Sequence, residues 1–402
     1  MKTAGPISYK VVFLATIAIL FYRMPERLLG GYLWAEDTRV FLAGAYARGW
    51  SGLFESYAAY MVTVPRIIAI AATKVVGLDL VPYVLPWAAM VISGLAGVYV
   101  YSVARTIAWR PNQTSTGWAL AIALAPLLVP NYGEVFLTIT NLQWVLCPAL
   151  IVLVWETFWR PAALQGNRNF VLRCVCIFLI TTTGPYGAFV WPLSVAGFLF
   201  HRDGLRDRRR LLIMAIYSAG VAIQVGAVLS AGRPPKPPLN DLPWVHDFLV
   251  HVIADMFVPG DLLAKMSHTW WMGAILLIAV TACILSTNKR YWCLFIGAFG
   301  IAIWASAMAW INLPNVSFSW QFAGTRYLYL PAVMLAWSLL MSAAAGGPRV
   351  TVVCISLAVM MLMTAAGRFR GEQFQRWTIT ESPAGRTLAS PPDPSWSVTV
   401  PR

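Results

Sequence analysis

The chain has 402 residues, of which 59% are hydrophobic and only 11% charged, with a net charge of +14. Soluble domains carry about 25% charged residues, and here apolar runs near the ~20 residues needed to cross a bilayer recur along the chain, so the composition excludes a soluble enzyme and indicates an all-α polytopic membrane protein. The basic residues punctuate apolar segments instead of gathering on a soluble domain, which makes them topology signals and argues against a nucleic-acid partner.

The first apolar segment lies near 8–24. Lys2 and Lys10 precede it, and Arg23, Pro25, Glu26 and Arg27 follow with no small-residue cleavage site, so it reads as an uncleaved first helix. Next comes an acidic pair in the run Trp34-Ala35-Glu36-Asp37-Thr38-Arg39. Acids are scarce, 16 Asp and Glu against 30 Lys and Arg, and charge at a bilayer is expensive and often retained for function. The plainer reading is a solvated pair balancing Arg39.

Tyr57–Val76 is apolar enough to cross, but it holds Pro65-Arg66 at its middle and Lys74 near its end. An arginine at mid-bilayer costs several kcal/mol. The segment therefore reads as a juxtamembrane helix in or dipping into the outer interface, with Thr38–Arg48 as its companion. As a helix it puts Tyr57 and Tyr60 on one face, in a loop that also offers Glu55. Arg66 is the strong cation of that stretch. Its planar fork suits a phosphate; the alternative is snorkelling to lipid headgroups.

Further spans are expected near 81–104, 116–131, 141–158, 170–183, 185–201, 211–231, 270–287, 291–311, 327–345 and 349–367, about eleven with the first. Residues 170–201 can also be one pair broken at Gly184-Pro185. Arginines and lysines in the short loops, above all Arg202, Arg206, Arg208, Arg209 and Arg210, place the N-terminus inside. Loops 25–80, 131–140, 232–269 and 312–326 and the tail then fall outside. Two domains follow: a membrane domain over 1–367 and an external tail over 368–402.

The second external loop carries Asn131-Tyr132-Gly133-Glu134, then Thr138, Asn141, Gln143 and Trp144. A carboxylate between apolar segments needs a partner. Amides beside an indole suit the hydroxyls and the apolar face of a sugar, although an interfacial aromatic belt gives the same pattern. The loop 232–269 opens on the stiff Arg233-Pro234-Pro235-Lys236-Pro237-Pro238. A helix from Trp244 would align Asp247, His251 and Asp255 at i, i+4 and i+8, a set that could hold a divalent metal if further ligands joined it. Asp261 and His268 are less specific. Trp320, Gln321, Arg326 and Tyr327 lie at the start of the tenth span, where Arg326 either meets a phosphate or caps the helix. The tail, with Ser382-Pro383, Ser390-Pro391-Pro392 and Asp393-Pro394, cannot bury a core alone, so it packs on the external loops or stays mobile. The cysteines Cys147, Cys174, Cys176, Cys283, Cys293 and Cys354 lack the paired spacing of a zinc site. Phosphate loops, dinucleotide fingerprints, nucleophile elbows and metallohydrolase motifs are absent, so an enzyme of this form needs a donor already in the membrane. No cofactor is implied with certainty, and a divalent metal is left open.

The order of these pieces resembles the GT-C superfamily of integral-membrane glycosyltransferases, which use polyprenyl-phosphate-linked sugars and carry an acidic motif directly after the first helix. More closely, Trp34-Ala35-Glu36-Asp37, Phe41, Gly49-Trp50, Leu53-Phe54, Tyr57-Ala58-Ala59-Tyr60 and Pro65-Arg66 look like a group of bacterial membrane proteins assigned as glycosyltransferases, akin to O-antigen glucosyltransferases of the serotype-converting type. Pro130-Asn131, Glu134-Val135, Thr140-Asn141, Gln143-Trp144 and Gly184-Pro185 are similar to that group as well. The resemblance implies a GT-C-like fold in the bacterial inner membrane, with the tail periplasmic. The implied reaction moves a sugar from a polyprenyl-phosphate donor to a hydroxyl of a cell-envelope glycan or lipid. Asp37, with Glu36 beside it, would be the catalytic residue of the acidic motif, and one of the two carboxylates would take the proton of the attacking hydroxyl as general base; which of them does so stays open. Arg66 or Arg326 would stabilise the leaving phosphate. Tyr60, Asn141, Gln143, Trp144 and Tyr327 would bind substrate, and Glu134 would position the acceptor or a metal.

Three other readings compete. A lipid-linked-glycan flippase or transporter would show polar residues inside spans and broken helices in paired halves, and Glu156 is the main acid of that kind. A glycan polymerase or ligase would lean on a larger external loop than 232–269. A structural subunit would leave the Trp34–Asp37 and Glu134–Trp144 clusters unexplained.

Overall fold

The computed structural model describes residues 7–107, 115–131, 134–160, 167–201, 207–231, 245–246, 248–258, 270–285, 300, 326–369, 377–383, 385–389 and 396–400. The span expected at 291–311 apart from Gly300, the Arg233–Pro238 stretch, Asp247, Asp261, His268, Trp320, Gln321 and Ser390–Pro394 lie outside the described residues, as does the side chain of His251.

The chain is predominantly helical. In order come α1 (Tyr9–Arg23), α2 (Pro25–Leu29), a π turn over Asp37–Leu42 that runs into α3 (Ala43–Arg48), and a 3-10 turn over Gly49–Phe54. A hairpin of β1 (Ser56–Tyr57) and β2 (Tyr60–Met61) leads to α4 (Thr63–Val75) and α5 (Val81–Ala104). The helices α6 (Ser115–Leu128), α7 (Leu142–Val154, extended by a π turn to Trp159), α8 (Asn167–Thr181), α9 (Tyr186–Phe200) and α10 (Arg208–Ser230) follow. After a π-helical stretch over Phe248–Ala254 and an α turn over Asp255–Phe257 come α11 (Trp270–Leu285), α12 (Arg326–Ala345) and α13 (Pro348–Arg368), and the tail forms β3 (Thr378–Ser382), β4 (Gly385–Ala389) and β5 (Ser397–Val400).

Among the described residues, five helical stretches are long and apolar enough to cross a membrane: Leu78–Ala104, Leu142–Trp159, Arg208–Ser230, Arg326–Ala345 and Pro348–Arg368. They coincide with five of the spans expected from sequence. Thr116–Leu128, Asn169–Thr181, Tyr186–Phe200 and Trp270–Leu285 are shorter apolar helices. The helix within the ambiguous 57–76 segment has 13 residues. At 1.5 Å per residue it is ~20 Å long, short of the ~30 Å hydrocarbon layer.

The chain divides into two compact units. In the first, comprising Met1–Ile19, Gly94–Val135 and Pro234–Gly371, α12 is buried along most of its length. The Trp337 indole ties it to α6 by donating to the Ile122 carbonyl at 2.8 Å. α1 packs closely on α5 because Gly94 has no side chain: a Cβ there would lie 2.6 Å from the Phe13 ring.

The second unit comprises Leu20–Ser93, Phe136–Arg233 and Glu372–Arg402. Its α4 buries Pro65, Arg66, Ala69, Ile70 and Ala72, a spacing that forms one helical stripe. The stripe joins a core with Phe41, Leu42, Ala45, Val81, Leu85, Ile139 and Leu142. Leu388 and Val398 of the tail complete this core. They are cross-strand partners in the antiparallel sheet β3-β4-β5. The tail is anchored at several further points. The Trp377 indole donates to the Gly30 carbonyl at 3.1 Å and meets the Tyr83 ring edge-on. Arg386 pairs with Asp79 at 2.5 Å, and the Thr38 hydroxyl donates to the Trp396 carbonyl at 2.9 Å. Of the two outcomes expected for the tail, packing is the one found. The sheet itself was not expected, because each strand brings so few aliphatic side chains that the sequence reads as unable to bury a core. The first loop supplies the missing surface.

One local expectation is corrected. Tyr57 and Tyr60 do not share a helical face; they are cross-strand partners in the hairpin. Ala58 and Ala59 between them have φ of 50° and 70°, the two left-handed residues of a type I′ turn. Alanines carry none of the Asn-Gly signature of that turn, so the pattern reads as helix.

Candidate functional site

The acidic pair sits where an irregular stretch over residues 31–34 gives way to the π turn, with Glu36 already in helical conformation. Asp37 is 1% exposed. Its Oδ2 accepts from the Trp34 amide at 2.9 Å, and its Oδ1 accepts from the Thr140 amide at 3.1 Å and the Thr140 hydroxyl at 2.6 Å. Burial raises its pKa from 3.8 to about 7; the three donors pull it down and the neighbouring Glu36 charge pushes it further up. Asp37 thereby joins the first loop to residues 136–141, a segment buried without helical or strand pairing. Buried irregular backbone must find partners for its amides and carbonyls. Asp37 supplies acceptors at one end. At the other, Arg27 donates to the Phe136 carbonyl at 2.7 Å and to the Tyr32 hydroxyl at 3.1 Å. Between the two, Leu137 is held at φ of 60°, a strained conformation for a branched side chain.

Glu36 is only partly buried. Its Oε1 accepts from the Tyr57 hydroxyl at 2.9 Å. Its Oε2 is buried and has no hydrogen-bond partner among the described residues. From Tyr57 the contacts continue edge-on to Tyr60, whose hydroxyl accepts from Gln143 Nε2 at 3.3 Å. Gln143 Oε1 and Thr138 Oγ1 are also buried without a hydrogen-bond partner among the described residues. Gly184, at φ of 96°, seats the amide: a Cβ there would fall 2.9 Å from Gln143 Cβ. The structure therefore links Glu36, Asp37, Tyr60 and Gln143. Asn141 precedes α7 and is buried. Trp144 is buried with its ring against Tyr186, centroids 4.7 Å apart, so its indole packs in the protein instead of offering an open sugar platform.

Arg66 is 3% exposed and is turned inward, away from the snorkelling arrangement. Its Nε donates to the Glu55 carbonyl at 3.1 Å, and Nη1 lies 3.7 Å from the Glu55 carboxylate. Burial lowers its pKa, Glu55 partly offsets this, and the nearby Arg48 lowers it further.

Glu134 and Arg326 belong to the other unit. They form an ion pair, and Glu134 Oε2 also accepts from the Arg326 amide at 3.1 Å. The Arg326 guanidinium lies over the Tyr327 ring. The lone carboxylate thus has its partner 192 residues away, and Arg326 faces an acid instead of an open anion site. Asp255 lies 3.5 Å from Arg368, which competes with any cation there. Among the described residues no three His, Cys, Asp or Glu side chains group as a metal site.

Sequence reasoning gave no role to Thr140 or Arg27. Thr140 stands next to Asn141 in a motif singled out for other residues, and Arg27 looked like a helix-flanking charge. Compared with known proteins, the chain matches no protein-family model and no curated protein.

Proposed function

We propose that the protein is a GT-C-like membrane glycosyltransferase with about eleven spans, a count in keeping with the ~20 residues each crossing needs. On this reading it transfers a sugar from a polyprenyl-phosphate donor to a hydroxyl of an envelope glycan or lipid. The acceptor oxygen bonds to the anomeric carbon, the bond from that carbon to the phosphate oxygen breaks, and the proton passes to a carboxylate. The observation that carries this reading is the division of labour within the acidic pair. Both Asp37 oxygens already accept hydrogen bonds, whereas Glu36 Oε2 is buried and unoccupied by any donor among the described residues. Glu36 is then the general base and Asp37 the positioning residue that fixes the turn. The resemblance names Asp37 first and leaves open which of the two takes the proton. Gln143 Oε1 and Thr138 Oγ1 are suited to sugar hydroxyls, which both donate and accept. The transporter reading loses its main support, since Glu156 is paired with Arg173 at 2.6 Å.

The test is Glu36→Gln and Asp37→Asn, made separately, with cell-surface glycan and membrane protein level measured. Glu36→Gln keeps the shape and removes the base. It is expected to lower transfer by about 100-fold or more at unchanged protein level. Normal glycan with Glu36→Gln refutes the assignment.

A further inference from the structure

One face of the Asp37–Arg48 helical stretch lines a cavity that the acidic pair does not use. Its walls are Arg39, Val40, Ala43, Gly44, Ala47 and Arg48 from that stretch, with Glu55, Ser56 and Arg66 opposite, and its volume is about 400 Å³. Three guanidinium groups and one carboxylate leave it with a net positive charge. Two of the guanidiniums converge on Gly44: a Cβ there would lie 3.1 Å from Arg66 Nη1 and 3.4 Å from Arg48 Nη2. The absent side chain keeps open the space between them. Both cations share one counter-ion, Glu55, which pairs with Arg48 and lies 3.7 Å from Arg66. Arg66 is buried, while Arg48 and Glu55 are partly accessible, so the carboxylate can swing away and Arg66 stays fixed.

We propose that this cavity is a phosphate-binding site, in which a phosphate takes the place of Glu55 between Arg48 and Arg66 and Arg39 closes over it. Paired guanidinium forks match the oxygens of a phosphate, and a cavity lined by one sign of charge concentrates anions. The site deepens the glycosyl-transfer reading, since Arg66 is the residue the resemblance gives to the leaving phosphate, but its test reads phosphate binding and not sugar transfer, so the two can fail separately. An isoprenoid phosphate, a phospholipid headgroup and free phosphate share this chemistry.

The full-length protein, purified in detergent, would be titrated with inorganic phosphate and with an isoprenyl monophosphate. In nanodiscs it would be challenged with phosphatidylglycerol, and native mass spectrometry would count bound probe. The Arg39→Gln/Arg48→Gln double variant, made at accessible side chains, is expected to weaken at least one probe by about tenfold or more; the probe it weakens is the source the site takes. Gly44→Ala favours the helix while filling the cradle, so it should weaken the same probe without harming the fold. Glu55→Gln removes the competitor and should tighten binding severalfold. The proposal is overturned if the double variant binds all three probes as the native chain does, or if Glu55→Gln weakens binding as much as the arginine variants do.

Discussion

The three donors on Asp37 make Asp37→Asn a quantitative test of its ionisation. An amide has one acceptor oxygen, so the substituted side chain can keep both bonds from Thr140 but must turn its NH₂ group toward the Trp34 amide, which then loses its acceptor. An unsatisfied buried N–H costs about 1–3 kcal/mol. Against this stands the cost of the native charge. Burial moves the carboxyl from 3.8 to about 7, which corresponds to roughly 4 kcal/mol against the ionised folded chain. Between those two values the folded protein holds a proton that the unfolded chain has lost. Native stability therefore falls as pH rises through this window, and asparagine has no such dependence. The variant should be less stable than the native chain near about pH 4.5 and as stable or more stable near about pH 8, with a crossing between. Thermal unfolding in detergent, followed by tryptophan fluorescence at several pH values, reads this directly. A melting-temperature difference that stays constant across the range refutes a titrating Asp37.

Ala59→Gly relieves a left-handed alanine at φ of 70° and should stabilise the chain by about 1 kcal/mol, seen as a higher melting temperature; a loss of stability would mean the hairpin turn is not of type I′. Gly184→Ala meets both an unfavourable φ of 96° and the Gln143 side chain, and should cost about 2 kcal/mol or more, measured by the same unfolding assay or by loss of membrane protein. Leu388→Ala removes a fully buried side chain of the tail and should cost about 2–5 kcal/mol; a neutral result would detach the tail from the core.

The long apolar helices were legible because hydrophobicity over about 20 residues is a local property, and Glu36-Asp37 was legible because acids are rare in this chain. What the sequence hid depends on partners far along it. Asp37 meets Thr140 across 103 residues and Glu134 meets Arg326 across 192, and no spacing rule reaches that far. The hairpin was hidden for the opposite reason. Its turn is local, but two alanines hold positions normally given to asparagine and glycine, so local composition pointed to a helix. The sheet of the tail was not legible because its burial depends on Phe41, Leu42 and their neighbours, not on its own aliphatic content.

The tail's attachment also carries a rule of parity. Trp377, Arg386 and Trp396 touch Gly30, Asp79 and Thr38, and contacts of this kind cannot be made through a bilayer. The stretch after α1 and the stretch after α13 therefore lie on one side of the membrane, and the chain between them crosses an even number of times. The span assignment made from sequence meets this condition, and adding 57–76 as a further crossing would break it. The rule also sets an order of events in biosynthesis: the core around Asp37 closes only after α13 has been made and the strands bearing Leu388 and Val398 have reached the same face, so until then a nascent chain holds the acidic pair in an unfinished setting.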